Sequence, residues 1–302
     1  MNNRAQAAGL VLVSMGLFGL IDNFMRLAAA DGGLWQYHLL RSVVALAVLL
    51  PLAASLRISL RPQRPRFVLG RTLLNASAMV IYFGCLGFMP IAQVVAGLFT
   101  APLWTVIFTT GLFGEKVALR QVLAVILGFA GIVIALHPAA GEISLWTLLP
   151  VLAGAFYGLG NIVTRRWCGA EGTLTLLAAF FAMLGAVGAL GLIALWLWPL
   201  PVLPGPDGFI TRGWVTPTWV FGVVIVVQGL GSLIGVGLSI RAYQIAPPTF
   251  VAVFENTLLV FATVWAVILW REWPDALGLT GLAMIAAAGV IIAMPDRKAA
   301  VA

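Results

Sequence analysis

The sequence predicts an all-α polytopic membrane protein, with ten transmembrane helices built as two inverted five-helix repeats. Three observations predict it. Of the 302 residues, 62% are hydrophobic and 9% are charged, with a mean hydropathy of +1.07. A soluble domain carries about 25% charged residues, and its core could not absorb this much apolar chain. Second, apolar runs of about 20 residues, the length that crosses a hydrocarbon core about 30 Å thick, recur between short polar breakers. Third, the chain resembles itself at two fixed offsets. A β-barrel is disfavoured, because barrel strands alternate apolar and polar residues over about 10 positions and these runs are continuous.

Span 1 covers 6–29. It follows Arg4 with nothing like a cleavage site behind it, so it reads as a helix rather than a secretory leader. "DGG" at 31–33 ends it. Span 2 covers 34–56 and stops at the basic stretch "RISLRPQRPR", 57–66. Spans 3 and 4 cover 67–88 and 91–112, and "FGEK" at 113–116 closes the pair. Span 5, 119–137, runs into "HPAAGE" at 137–142. Spans 6 and 7, 145–166 and 173–198, precede the one long connection, the 18-residue "PLPVLPGPDGFITRGWVT" at 199–216. Spans 8, 9 and 10 cover 217–241, 247–270 and 276–294, with "REWPD" at 271–275 between the last two.

Basic residues orient the bundle. With a cytoplasmic N-terminus, Arg4, Arg57, Arg61, Arg64, Arg66, Arg71, Lys116, Arg120, Arg165, Arg166, Arg241, Arg297 and Lys298 lie at or near the inner face. Arg26, Arg41, Arg212 and Arg271 lie toward the outside. This is the positive-inside pattern, so an inner membrane and two cytoplasmic termini are expected. The net charge of +7 follows from that bias, and the loop 57–66 needs anionic lipid rather than nucleic acid as its partner. Cys85 and Cys168 fall on opposite faces in this topology, which argues against a disulfide between them.

The internal similarity has two parts. "GLFGLIDNFMR", 16–26, aligns with "AFYGLGNIVTR", 155–165, and pairs Asp22 with Asn161 and Arg26 with Arg165. At a second offset, of 157, Pro90 pairs with Pro247, Thr100 with Thr257 and Glu115 with Glu272. The same offset sets Arg71, Asn75 and Tyr82 opposite Gln228, Ser232 and Ser239. Five is odd, so the second copy enters the membrane from the other side. Transporters built this way bind near the midplane, where the halves meet, and rock one part against another.

With ten spans, two five-helix halves and Glu115 and Glu272 closing spans 4 and 9, the chain resembles the drug/metabolite transporter superfamily, EamA type. "FTAPLWTVIFTTGLFGEKVALRQVLAVILGFAGIVIAL" is similar to the end of a first EamA repeat, and "FENTLLVFATVWAVILWREWPDALGLTGLAMIAAAGVIIA" to the end of a second. The resemblance implies repeats at 1–140 and 141–302, and a central cavity lined by spans 1, 3, 4, 6, 8 and 9. Spans 5 and 10 are then peripheral and open to pairing with a second copy. Members export amino acids, aromatic ones in one branch, or import choline-like and other small solutes.

Arg71, Asn75 and Tyr82 are spaced by 4 and 7 and share a helix face, as do Gln228, Ser232 and Ser239. Polar groups facing lipid are costly, so both stripes should look inward, either as a hydrogen-bonding cavity wall or as interhelical glue. The serines fit glue, and Asn75 and Tyr82 fit the cavity. Arg71 sits near enough to the inner surface to snorkel. In span 1, Asp22 and Arg26 are an i, i+4 pair with Phe18 one turn earlier, giving either a neutralised pair or an outward gate. Tyr157 and Asn161 hold the matching positions in span 6. Trp104, after Pro102 breaks span 4, is an aromatic cavity candidate, whereas Trp35 and Tyr37 fit the interfacial belt. Gly154/Gly158 and Gly231/Gly235 have the spacing of close helix contacts.

Glu255, followed by Asn256, lies about 12 Å into span 9 counted from Pro247, near the midplane. A carboxylate there costs about 2.5–3.5 kcal/mol on insertion scales, so it must be paired, hydrated or protonated. The first half has Leu98 at the matching position. Glu255 is thus the candidate for substrate binding and for proton coupling. His38 and His137 sit near span ends without a nucleophile at a recognisable spacing, and are expected to be solvated there. No metal-ligand cluster or phosphate loop is visible, so neither enzyme chemistry nor a cofactor is expected. The reading is an alternating-access carrier of a small metabolite, most simply an amino-acid exporter. Uptake of a cationic or choline-like solute, a channel or a structural membrane protein is the alternative.

Overall fold

The computed structural model describes residues 3–85, 89, 91–136 and 145–294, with a few side chains, Arg26 among them, outside the description. Those residues form α1 (Asn3–Asp22), α2 (Met25–Asp31), α3 (Leu34–Ser55), α4 (Pro65–Cys85), α5 (Ile91–Leu98), α6 (Ala101–Gly111), α7 (Leu119–Leu136), α8 (Leu148–Trp167), α9 (Thr173–Leu197), α10 (Trp219–Ile245), α11 (Pro248–Glu255), α12 (Thr257–Trp270) and α13 (Ala276–Ala293). Ten stretches among them are long and apolar enough to cross a membrane. Large apolar side chains such as Val48, Leu123, Ile268 and Leu279 point outward, as lipid contact requires.

Three spans are broken in two. Span 1 breaks after Asp22, span 4 at Phe99–Thr100, and span 9 at Asn256. The break in span 4 precedes Pro102, which lies in the first turn of α6, where its missing N–H costs nothing. Thr100 donates its hydroxyl to the Gly97 carbonyl at 2.6 Å, and Thr257 does the same to Phe254 at 2.6 Å. Gln228 donates to the Ile21 carbonyl, and Asn23 to those of Gly19 and Ala262, so the break in span 1 is also hydrogen-bonded.

These bounds are consistent with an inverted duplication. α5 and α11 start and end 157 residues apart, as do α7 and α13. Left-handed backbone closes spans 4 and 9 at equivalent places, Gly114 (φ 64°) and Arg271 (φ 59°). The largest helix interfaces, α7 with α13, α3 with α9, α4 with α8 and α1 with α10, each join a helix of one half to one of the other. Along the first of these the backbones nearly touch. A Cβ on Gly131 would lie 2.7 Å from the Gly281 carbonyl oxygen, and one on Gly281 would lie 2.3 Å from that of Gly131.

Both ends of the bundle are tied. At the end where α1 begins, the Glu171 carboxylate accepts from the backbone of Gln63 at 3.0 Å and Arg64 at 2.6 Å, which satisfies open donors where α4 starts. At the other end, the 199–216 connection folds over the turn between spans 1 and 2. Arg212 donates to the Gly32 and Gly205 carbonyls, and Leu34 donates its backbone N–H to Phe209.

Candidate functional site

A cavity of about 150 Å³ lies at the centre of the bundle, walled by α1, α3, α4, α8, α9, α10 and the breaks of spans 4 and 9. Its size decides what it holds. It is below the 300–1,000 Å³ of pockets for drug-sized ligands, so a small solute is the natural occupant of this conformation. Most of the wall is apolar, with Met15, Phe18, Met79, Phe83, Phe99 and Phe180 around a few polar groups.

Glu255 is the best-defined of those groups. It is the last residue of α11, where the helix gives way at Asn256, and it is 6% exposed. Tyr157 of α8 donates its hydroxyl to Oε1 at 2.7 Å, and Tyr243 of α10 donates to Oε2 at 2.7 Å. Hydrogen bonds to a charged group contribute about 1.5–3 kcal/mol each. Two of them match the insertion cost of about 2.5–3.5 kcal/mol, so the carboxylate is held in the wall without a counter-cation.

Around this cage, buried polar atoms stand unsatisfied. Asn75 donates to the Arg71 carbonyl at 3.1 Å, while its Oδ1 has no partner. Both polar atoms of the Asn256 side chain are likewise without hydrogen bonds, whereas the Asn161 amide lies beside the Tyr157 and Tyr243 hydroxyls. Asn75 lies close against α8 only because residue 160 is glycine, since a Cβ there would meet Asn75 Nδ2 at 2.6 Å. Buried orphan acceptors and donors are rare in native proteins, and in a cavity wall they mark places a ligand or water can fill.

A second polar region lies further along the cavity. Asp22 sits beside the Gln228 side chain and in the field of Arg41. The Arg41 guanidinium is 5% exposed, donates to the Tyr37 hydroxyl at 3.2 Å and lies over the rings of Tyr37 and Phe83 at 5.0 and 5.3 Å. Gln228 and Tyr243 are 15 residues apart on α10, about 22 Å at 1.5 Å per residue. The two polar regions are therefore separate.

The cavity brings together eight of the residues expected from the sequence: Phe18, Asp22, Asn75, Tyr82, Tyr157, Asn161, Glu255 and Asn256. Trp104 stands apart from that lining, stacked on Phe108 with ring centroids 5.4 Å apart. The expected pairing of Asp22 with Arg26 and the position of His137 fall outside the described side chains and residues. Ser239 shares a 2.9 Å hydrogen bond with Ser14 of α1, which is glue, and Ser232 bonds back to its own helix.

Three expectations need correction. Arg71 does not snorkel: it is 3% exposed and donates to the Thr164 hydroxyl and the Leu176 carbonyl. Tyr37 is fully buried rather than in an interfacial belt, because the 199–216 connection closes over the start of α3. His38, expected to be solvated, is fully buried between Tyr37 and Phe83. Tyr243 was missed, although it lies one turn beyond Ser239 and continues the Gln228–Ser232–Ser239 face. Arg41 was missed because its position near a span end gave it an interfacial reading.

Comparison with known proteins fits this geometry. Residues 6–136 match the EamA-like transporter family. An S-adenosylmethionine uptake transporter of Rickettsia bellii is 25% identical over 80% of this chain and 77% of its own length. A riboflavin transporter of Brucella anthropi is 24% identical over 87% of both chains. A pseudopaline exporter of Pseudomonas aeruginosa is 22% identical over 95% of this chain and 96% of its own. A solved crystal structure, 19% identical, superposes with a TM-score of 0.76 over 95% of this chain and 98% of that one, a likeness of fold.

Proposed function

We propose that this chain is a small-metabolite transporter of the drug/metabolite superfamily, an alternating-access carrier of an amino acid or a related amine-bearing metabolite. The observation that carries the reading is the Glu255 carboxylate, held by two phenols at a helix break in the cavity wall. A membrane-buried acid with both oxygens bonded and no basic partner among those bonds is an anchor for a cation arriving from outside the protein. The apolar wall suits the remainder of a small amphipathic solute. The broken spans 1, 4 and 9 and the pairing of helices across the two halves support rocking around this point. The basic residues favour an inner membrane with both termini cytoplasmic, and outward movement of the solute is the direction proposed. Uptake of a cationic solute is the second reading, favoured by the relatives named for uptake.

The test is counterflow of labelled L-phenylalanine in proteoliposomes. Wild type should accumulate label against unlabelled substrate inside, and Glu255→Gln should lose at least tenfold of that rate, with the protein still monodisperse. Full activity in Glu255→Gln would remove Glu255 as anchor and as the proton-coupling site together. Loss in the variant with a pH-independent wild type would keep binding and remove coupling. Label movement in inside-out against right-side-out vesicles separates export from uptake.

A further inference from the structure

A second space lies between α3 and α9, and it shares no lining residue with the central cavity. It is an open groove of about 330 Å³ with almost wholly apolar walls. Leu46 and Leu50 of α3 line one side, and Ala178, Ala179 and Ala182 of α9 line the other, where short side chains leave the space. Leu46 is nine residues before the end of α3, and Ala182 is nine residues after the start of α9. The groove therefore runs about 14 Å along the helices at 1.5 Å per residue. That depth is one leaflet of a hydrocarbon core about 30 Å thick, so it suits an acyl chain rather than a water-soluble ligand.

The 57–66 loop forms the mouth of the groove, through Leu60 and Pro62. Its shape is fixed by hydrogen bonds. The chain leaves α3 through left-handed backbone at Arg57 (φ 52°), where Ile58 donates its N–H to Ala53 and Arg57 to Ala54. Glu171 holds the backbone of Gln63 and Arg64, and Thr175 donates to the Ser59 carbonyl. Arg57, Arg61, Arg64 and Arg66 are all exposed on this loop, which carries no acidic residue. Arg61 stands between the two loop residues that line the groove. Among the described residues, the Arg57 and Arg61 side chains make no hydrogen bond or ion pair. A cationic mouth above an apolar slot matches the two ends of an anionic phospholipid. A second copy of this chain fits the face poorly, because a symmetric contact would set arginines against arginines.

We propose that this groove seats one anionic phospholipid, with an acyl chain between α3 and α9 and the phosphate at Arg57 and Arg61. The proposal narrows the general attraction of a basic loop for an anionic surface to a single bound lipid. α3 and α9 form one of the largest helix interfaces, and they come from different halves of the chain, so the lipid joins the halves at the end where α1 begins.

Native mass spectrometry of the purified full chain, titrated with phosphatidylglycerol or phosphatidylcholine of identical acyl chains, tests this. Wild type should retain phosphatidylglycerol in preference to phosphatidylcholine, by about fivefold for each guanidinium engaged. Arg57→Gln combined with Arg61→Gln should reduce phosphatidylglycerol to the level of phosphatidylcholine, and the corresponding pair of Lys substitutions should keep the preference. Ala179→Leu with Ala182→Leu fills the groove, and should release the phosphatidylglycerol although every arginine remains. Equal retention of the two lipids by wild type would overturn the proposal. So would unchanged retention in the filled-groove variant, which would leave only diffuse attraction between the loop and an anionic surface. The arginines are exposed, so their variants carry the test even if the filled-groove variant does not fold.

Discussion

Glu255 is held in the bundle because two hydroxyls are aimed at it. Tyr243 is 1% exposed and Tyr157 is partly buried, and both line the cavity, so each holds the carboxylate at the cavity wall. Removing either hydroxyl leaves one carboxylate oxygen without its donor. Tyr243→Phe and Tyr157→Phe should each weaken substrate binding about tenfold or more, the equivalent of the ~1.5–3 kcal/mol of a charge-assisted bond. Isothermal titration of the purified variants measures it, and unchanged affinity in both would remove the cage from the account. At this scale the sequence was informative where a polar residue interrupts an apolar run with no neighbour to excuse it, as at Glu255 and Asn75. It was misleading near span ends. Distance from the membrane surface does not say whether an Arg or a His reaches out or turns in: Arg71 turns in to bonds from α8 and α9, and Arg41 and His38 turn in against Tyr37 and Phe83.

At the scale of elements, the decisive features are the breaks in spans 1, 4 and 9. Each frees backbone groups at membrane depth, where no water replaces them, so each must be bonded locally. Thr100 and Thr257 meet that need in the same way at equivalent positions, each bonding the carbonyl three residues before it. Thr100→Val and Thr257→Val keep the shape and remove the hydroxyl. Each should lower stability by about 0.5–1.5 kcal/mol, the net contribution of one hydrogen bond, because the Gly97 and Phe254 carbonyls keep a backbone N–H donor. A melting temperature unchanged in both variants would contradict that role. The pairing of Thr100 with Thr257 was legible in the sequence, and so were the positions of all ten spans. The breaks themselves were less so. Only span 4 has a proline near its break, and the observed break lies just before Pro102 rather than at it. In span 1 the signal was Asn23, whose side chain bonds the Gly19 and Ala262 carbonyls, and hydropathy is blind to that.

Across the whole molecule, no half is a unit that packs only on itself. The largest interfaces join the halves, and the cavity lies between them, so a movement of one half against the other must open or close the space around Glu255. The fold was readable at this scale because composition and repetition belong to the entire chain. The site was readable only in part, because Tyr243 and Arg71 gain their roles from partners more than 10 residues away. The most direct test of the central claim places a thiol in the cavity. Ser232 lines it, is 3% exposed and bonds only to its own helix, so Ser232→Cys disturbs little. The native cysteines do not interfere. Cys85 and Cys168 are both buried, and burial pushes the Cys168 thiol up to about 11, which leaves little reactive thiolate at neutral pH. Methyl methanethiosulfonate should stop phenylalanine counterflow in Ser232→Cys but not in wild type, and saturating phenylalanine should slow the modification. A modified variant that transports at the unmodified rate, with labelling indifferent to substrate, would place the pathway elsewhere.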